Sequence, residues 1–481
     1  MTQQRISQDR VVGSMLGLAA GDALGAGYEF ARRVPADPQM IGGGLGNWDP
    51  GEWTDDTQMA ICIAEVTATG HTTPDAIGDR FLSWYRGGPA DVGIQTSAVL
   101  SAAETGADLT SIAARHFQRN PRSSAGNGSL MRTAPIALAH LGDDEAIAHA
   151  AMEISLLTHG DPLAGEACIL WCIAIDRAIR YGRLDGVHDG LALLPERSRE
   201  LWAANLQDAE TQPPSTFTPN GFVVTALQAA HAAITQTLVP DEQPCRHLQD
   251  ALAAAVKIGN DTDTVAAIAG GLLGARWGAS AVPTRWRWIM HGWPGYGVRD
   301  LTRLALSSAD PQVDDRAWPN VQKMVAGYRA SYPKVRGVSV ALPDDPDVTI
   351  GDVAALADTD ADLVVSLCRV GSADVPDGRE RLEVWLIDDA SQSSNSNLDF
   401  VLTDTVALIA AARDAGKTVF LHCVAAESRT PTVAAGYLAD RLGISATNAL
   451  KRVQDILPEA NPNSGFRDAL DRIWPGASPT S

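Results

Sequence analysis

From Val11 to about Ala330, apolar residues recur at helical spacing in long Ala-, Leu- and Ile-rich segments separated by Gly, Asp, Asn and Pro. TQMAICIAEVTATG (57–70), GEACILWCIAIDRAIR (165–180) and DTVAAIAGGLLGARWG (263–278) each carry such a stripe, and alternating β-branched runs are scarce. The pattern predicts an all-α domain. QDAETQPPSTFTPNG (207–221) is polar and Pro-rich and predicts a surface loop interrupting two helices. A second Pro/Asp-rich stretch, ALPDDPDVTIGD (341–352), accompanies a change of texture. Beyond it the strand-like runs DLVVSLCRV, EVWLIDD and KTVFLHCV alternate with the helical NLDFVLTDTVALIAAARDAG, TPTVAAGYLADRLG and ATNALKRVQDIL. Strands alternating with helices predict a small α/β domain around a mainly parallel sheet. The expected architecture is therefore multidomain, an all-α domain over residues 1–328 followed by a smaller α/β domain over 332–481, with the boundary near residue 330.

Composition supports this picture. The 481 residues suit two domains, and a 45% hydrophobic content with only 6% aromatics favours helices packed on small side chains. A formal charge of -20 argues against a surface that coats nucleic acid or an anionic membrane. The opening MTQQRISQDR has no apolar core of a leader, and no stretch reaches the roughly 18 uncharged apolar residues of a membrane span, so a cytoplasmic protein is expected. Six scattered cysteines suit reduced thiols. Cys168 and Cys172, with apolar flanks, read as core packing rather than metal ligands, and Trp286, Trp288 and Trp293 as packing near the end of the helical domain.

Two helices open with more oxygen ligands than a helix start requires: Thr54, Asp55, Asp56 and Thr57, and Asp261, Thr262, Asp263 and Thr264. N-capping accounts for one side chain at each. The remaining carboxylates leave negative charge to be solvated or neutralised, and an all-oxygen set without Cys or His suits Mg²⁺ or Mn²⁺ rather than zinc. Four carboxylates plus threonine hydroxyls are enough for two ions, which together activate a water. The glycines around Asn127 and Ser129 in GNGSLMR would let backbone N–H groups approach a phosphate.

Taken in order, GDALGAGYEF, WTDDTQMA, GNGSLMRTAPIAL, THGD and GNDTDTVAAIAGGLLGA resemble the ADP-ribosylglycohydrolase family over residues 13 to 278. The resemblance implies an all-α fold with two Mg²⁺ or Mn²⁺ ions in a cleft, acting on an ADP-ribosylated protein or small molecule. It implies Thr54, Asp55, Asp56, Asp261, Asp263 and Thr264 as metal ligands, and Glu29 as a glutamate beside the metals that responds to substrate. It places Asn127, Gly128, Ser129, His159, Gly259 and Asn260 where the family holds the ADP-ribose phosphates and ribose. Asp55, Asp56 or Glu29 would serve as base for the attacking water as oxocarbenium character develops.

The segment KTVFLHCVAAESRTPTVAAGYLADRLG puts Cys423 at the end of an apolar strand, six positions before Arg429 at the mouth of a helix, where N–H groups and the guanidinium stabilise a thiolate. The segment resembles the signature loop of dual-specificity and related tyrosine phosphatases, over roughly residues 332 to 475. That resemblance implies Cys423 as nucleophile, Arg429 as clamp on a phosphorylated substrate, Thr430 as the hydroxyl that helps the thiolate leave, and Asp389 as general acid, with Asp388 as the alternative. Ala426 stands where the family usually has glycine, and Glu427 follows it; the pair predicts a strained loop with a carboxylate that repels phosphate. Three readings stay open: a bifunctional enzyme, a glycohydrolase whose second domain only binds phosphate-bearing partners, and a non-catalytic metal-binding structural protein.

Overall fold

A computed structural model describes residues 6–312, 335–371 and 375–476. Packing divides the chain into two units, residues 1–282 with 289–313 and residues 283–288 with 314–481. The boundary expected near residue 330 lies outside the described residues.

The first unit is helical, with one pair of two-residue strands, His291–Gly292 and Tyr296–Gly297, among its described residues. The helices that matter for the site are α1 (Gln8–Gly25), α2 (Asp55–Thr67), α3 (Pro162–Tyr181), α4 (Glu196–Thr211), α5 (Val223–Gln236) and α6 (Thr262–Trp277). Helix α6 is buried at every residue from Thr262 to Ala275, which marks it as the central helix of the unit. The polar stretch 207–221 is less of a loop than its composition predicts. Helix α4 runs on to Thr211 because Leu206 and Ala209 continue its buried stripe, and the chain breaks only at Gln212 and the prolines that follow.

The second unit is a five-stranded sheet of β1 (Ser339–Leu342), β2 (Asp345–Asp352), β3 (Leu363–Ser366), β4 (Glu380–Glu383) and β5 (Val419–Cys423), in the order β1-β2-β5-β3-β4. Strands β1 and β2 form an antiparallel hairpin and the remaining pairings are parallel. The hairpin contains the Pro/Asp-rich stretch. Its acids are held from outside the strand: Arg413 pairs with Asp345 at 3.0 Å and Asp347 at 2.7 Å, and Tyr437 donates to Asp345 at 2.6 Å. Helices α7 (Leu398–Asp414) and α8 (Arg429–Leu442) cover the sheet with Leu402, Val406, Ile409, Val433 and Leu438.

Strand β4 precedes the EVWLIDD run expected as strand. After Val384 donates to Ser366 O at 2.9 Å the chain leaves the sheet, because the Asn395 side chain takes both the N–H and the carbonyl of Ile387, at 2.9 Å each. The tryptophans also correct an expectation. Trp288 packs against the core of the second unit with Lys417 4.6 Å above its ring, rather than closing the helical unit.

Candidate active sites

The first site begins with glycine. Gly13, Gly17, Gly21 and Gly25 recur every four residues along one face of α1 and lie against α6 running the other way. A Cβ on Gly21 would sit 2.0 Å from Ala266 O, and one on Gly25 2.4 Å from Asp263 Cα. This backbone-to-backbone approach brings Asp22, near the end of α1, to Asp263 in the first turn of α6.

Asp22 does the capping that TDDT would otherwise do for itself. Its carboxylate accepts from the N–H groups of Thr54 and Thr57, both at 3.0 Å, and from Thr57 Oγ1 at 2.5 Å. Thr54 makes no side-chain capping bond of its own. Asp55 and Asp56 are thereby left free of the helix end, buried, and crowded by like charges. Two triads of carboxylates have their ligand oxygens within 4.8 Å of one another, Asp22–Asp56–Asp263 and Glu29–Asp261–Asp263, and Asp263 belongs to both.

The electrostatics follow. Burial, reinforced by neighbouring carboxylates, holds Asp55, Asp56 and Asp263 well above the usual carboxylate range. Burial raises Asp261 also, and pushes Asp22 up to about 6 in spite of its hydrogen bonds. Glu29 rises to about 8, through burial first and then the charges of Asp261, Asp91 and Asp22. Glu29 Oε2 and Asp56 Oδ1 are buried and have no hydrogen-bond partner. Buried acceptors of one sign, all oxygen, two of them unpartnered, are a donor set that fits hard divalent cations.

Around the carboxylates the chain is tied by backbone. Gly259 and Asn260 both take positive φ (83° and 62°), and Asn260 O accepts from Phe30 N at 2.8 Å, fixing the Glu29 segment beside the start of α6. Asn127 donates to Asp261 Oδ2 at 2.8 Å, so its amide positions a carboxylate. Gly128 lies against His159, where a Cβ would come 3.3 Å from Nε2. His159 is buried and its pKa falls to about 3 through burial and the nearby Arg132. Thr158 Oγ1 accepts from Arg132 at 2.7 Å and sits 2.8 Å from His159 Nδ1. Ser129 is buried, its hydroxyl 2.9 Å from Ser155 and 3.6 Å from Cys168, so it is not brought to the carboxylates. Thr54 Oγ1 donates to Asp56 at 3.1 Å, and Thr264 N donates to Asp263 at 3.0 Å.

Sequence reasoning missed Asp22 and Asn220. Asn220 accepts from Asp261 N and donates to Gly259 O, each at 3.0 Å, and so holds the turn into α6. The available signals were an aspartate inside an apolar Gly-rich helix and the TPNG turn, each also consistent with ordinary packing.

The second site is a single loop between β5 and α8. Cys423 is buried at the strand end. Ala426 takes φ +54°, the left-handed backbone that glycine adopts freely. Arg429 spends Nη1 on Leu367 O at 2.6 Å and Leu386 O at 3.3 Å, while its buried Nε and the buried Thr430 Oγ1 have no hydrogen-bond partner. Asp388 reaches this loop: Oδ1 accepts from Ser428 at 2.7 Å and Asn463 at 3.1 Å, and Oδ2 lies 3.8 Å from Arg429 Nε. Asp389 is exposed and accepts instead from Ser391 N at 2.8 Å and Ser394 Oγ at 2.9 Å.

The sequence matches the ADP-ribosylglycohydrolase family over residues 3–316 and the dual specificity phosphatase catalytic domain over residues 349–473. It is 30% identical to the ADP-ribosylarginine hydrolase Tri1 of Pseudomonas putida over 64% of this chain and 80% of that protein. It is 29% identical to the ADP-ribosyl-[dinitrogen reductase] glycohydrolase of Rhodospirillum rubrum over 58% of this chain and 89% of that one. A solved structure titled as an ADP-ribosylglycohydrolase-related protein complex shares 30% identity, covering 64% of this chain and 99% of its own, with a TM-score of 0.49. The family match and the two similar hydrolases define an enzyme of the hydrolase class. The chain belongs to the ADP-ribosylglycohydrolase family, with a phosphatase-like domain following. Members of this family are generally dependent on divalent metal ions.

Proposed function

We propose that the helical domain hydrolyses the N- or O-glycosidic bond between ADP-ribose and an acceptor on a protein or small molecule, with two Mg²⁺ or Mn²⁺ ions as cofactors. The observation that carries this reading is the pair of carboxylate triads sharing Asp263, one buried and one partly open, with oxygens on Glu29 and Asp56 that have no hydrogen-bond partner. Thr54, Asp55, Asp56, Asp261, Asp263 and Thr264 would hold the ions, and Asp22 and Asn127 position them. Bound cations supply neutralising charge, orient ribose hydroxyls and make water more acidic.

The residues supply the rest. His159, held neutral by burial, and the backbone at Gly128 would face the ribose and pyrophosphate, together with the left-handed turn at Gly259 and Asn260. Glu29 Oε2 takes the proton of the attacking water as its oxygen bonds to the anomeric carbon, the glycosidic bond breaks and that proton passes to the departing nitrogen or oxygen of the acceptor, and the surrounding carboxylates favour the oxocarbenium-like charge that develops on the ribose. The names of the similar proteins make an arginine-linked substrate the first to try. Free ADP-ribose is measured from arginine- and serine-linked substrates; Asp263→Ala should lose release and metal binding together. Turnover unchanged in that variant would remove the assignment. The reduced, buried cysteines accord with a cytoplasmic location.

The second domain is proposed as a cysteine-dependent phosphatase, a reading supported by Arg429 Nε and Thr430 Oγ1, buried at the Cys423 loop without a hydrogen bond. The Cys423 thiolate attacks phosphorus, Arg429 grips two phosphate oxygens, and a carboxylic acid protonates the leaving oxygen. Of the two candidates for that acid, the hydrogen bond to Ser428 favours Asp388 over Asp389. Slow turnover of an aryl phosphate is expected, and it should vanish in Cys423→Ser. Phosphate binding without turnover in the unaltered chain would favour the binding-module reading, to which Glu427 at the loop rim already lends support.

A further inference from the structure

A second cluster of metal-binding side chains lies in the helical unit on residues that neither proposed reaction uses. His188 sits in the 3₁₀ stretch Asp185–Leu193, Glu210 in the last turn of α4, and His231 in the middle of α5. Both imidazoles turn Nε2 toward one carboxylate oxygen: Glu210 Oε1 is 2.7 Å from His188 and 3.1 Å from His231. The rings stand edge to face, with centroids 6.3 Å apart and planes at 76°. The His188 and Glu210 side chains are partly open to solvent (41% and 37%), whereas that of His231 is fully buried.

We propose that His188, Glu210 and His231 form a metal site separate from the carboxylate triads, taking a divalent transition ion of the Zn²⁺ class. Two nitrogens and one oxygen are the donor set such ions prefer, and the opposite of the all-oxygen set in the cleft. Tetrahedral Zn²⁺ with bonds of about 2.0–2.2 Å needs ligand atoms roughly 3.3 Å apart, so the 2.7 Å separation at His188 must open by roughly 0.6 Å and the 3.1 Å one at His231 by roughly 0.2 Å, and all three ligand atoms already lie within 4.8 Å of one another. His231 Nδ1 is buried and has no hydrogen-bond partner, so no group on that side pins the ring's tautomer; an ion at Nε2 takes the place of the hydrogen bond to Glu210, and the neutral ring's one proton then stands on Nδ1. The open side leaves room for a water as fourth ligand. The ion would clip the 3₁₀ stretch to α4 and α5, and α5 follows directly on the Asn220 segment that holds Asp261.

The test uses the full chain, stripped with a chelator and then saturated with Mg²⁺ to occupy the carboxylate cleft. Co²⁺ is titrated in as a spectroscopic probe, followed by Zn²⁺. One equivalent of Co²⁺ should give the intense visible band of a four- or five-coordinate site, and Zn²⁺ should displace it one for one. His188→Ala, at a partly exposed position, and Glu210→Gln should each weaken Zn²⁺ binding by at least about tenfold. Mg²⁺-dependent ADP-ribose release should be retained. No intense band in the unaltered chain, or a band that survives His188→Ala, would overturn the proposal and leave a hydrogen-bonded trio.

Discussion

The two candidate sites solve opposite electrostatic problems with opposite constructions. The helical site gathers carboxylates from segments as far apart as Asp22, Asp56 and Asp263, and its unpartnered atoms are acceptors, a set that a cation would neutralise. The cysteine site is built on one short loop between β5 and α8, and its buried atoms without a hydrogen bond are the Arg429 Nε donor and the Thr430 hydroxyl, a set that suits an anion. A site assembled from distant helices should fail wholly when one shared ligand is lost. A site built on one loop should tolerate change at its rim.

The sharpest break in that comparison is Asp263→Ala against Cys423→Ser. Each should reduce its own activity to background and leave the other intact, measured as ADP-ribose release and aryl phosphate hydrolysis on the same preparations. Cross-effects would show that the two chemistries are not independent. Next comes Glu29→Gln, expected to lower kcat for ADP-ribose release by about 10²–10⁴-fold while Mg²⁺ binding, read calorimetrically, survives. Loss of metal binding in this variant would make Glu29 a ligand rather than a base.

The charge argument also predicts a pH dependence. Glu29 at about 8 and Asp22 at about 6 bind protons in the folded chain that the unfolded chain has released, so without metal the stability should fall as pH rises from about 4.5 through 8. Divalent cations should reverse this, and the gain in Tm on adding Mn²⁺ should grow over the same range. A metal-induced gain that shrinks with rising pH would contradict the buried-carboxylate account. In the second domain, Asp388→Asn should slow phosphate release more than Asp389→Asn. The smallest effect is expected at the loop rim: Ala426→Gly relieves the left-handed strain but adds unfolded-chain entropy, a net gain below about 1 kcal/mol in denaturant titration.

The two constructions also differ in how far they could be read from sequence. TDDT and DTDT are contiguous, and their surplus oxygens stand out against the needs of a helix cap. Asp22 does not stand out, because its importance depends on α1 lying antiparallel to α6 on a glycine face, a tertiary fact that one helix does not encode. Asn220 was hidden for the same reason: it holds the turn at Gly259 from 39 residues away. In the cysteine loop the proposed nucleophile, clamp and hydroxyl share a single stretch, and Ala426 takes the positive φ that suits glycine. The choice between Asp388 and Asp389 turns on a single residue of register, set by the grip of Asn395 on Ile387 and Asp389, which no local pattern specifies. The path of the chain beyond Glu383 depends on that same side chain, so the expected strand over EVWLIDD and the general acid were obscured together.

Release of ADP-ribose by the carboxylate cleft should depend on a divalent metal ion. This is tested most directly by measuring free ADP-ribose from arginine- and serine-linked substrates with Mg²⁺, Mn²⁺ or EDTA, for the unaltered chain and Asp263→Ala. The account predicts release from at least one linkage with metal, none with EDTA, and none from the variant. Release that persists in EDTA or in Asp263→Ala would contradict it.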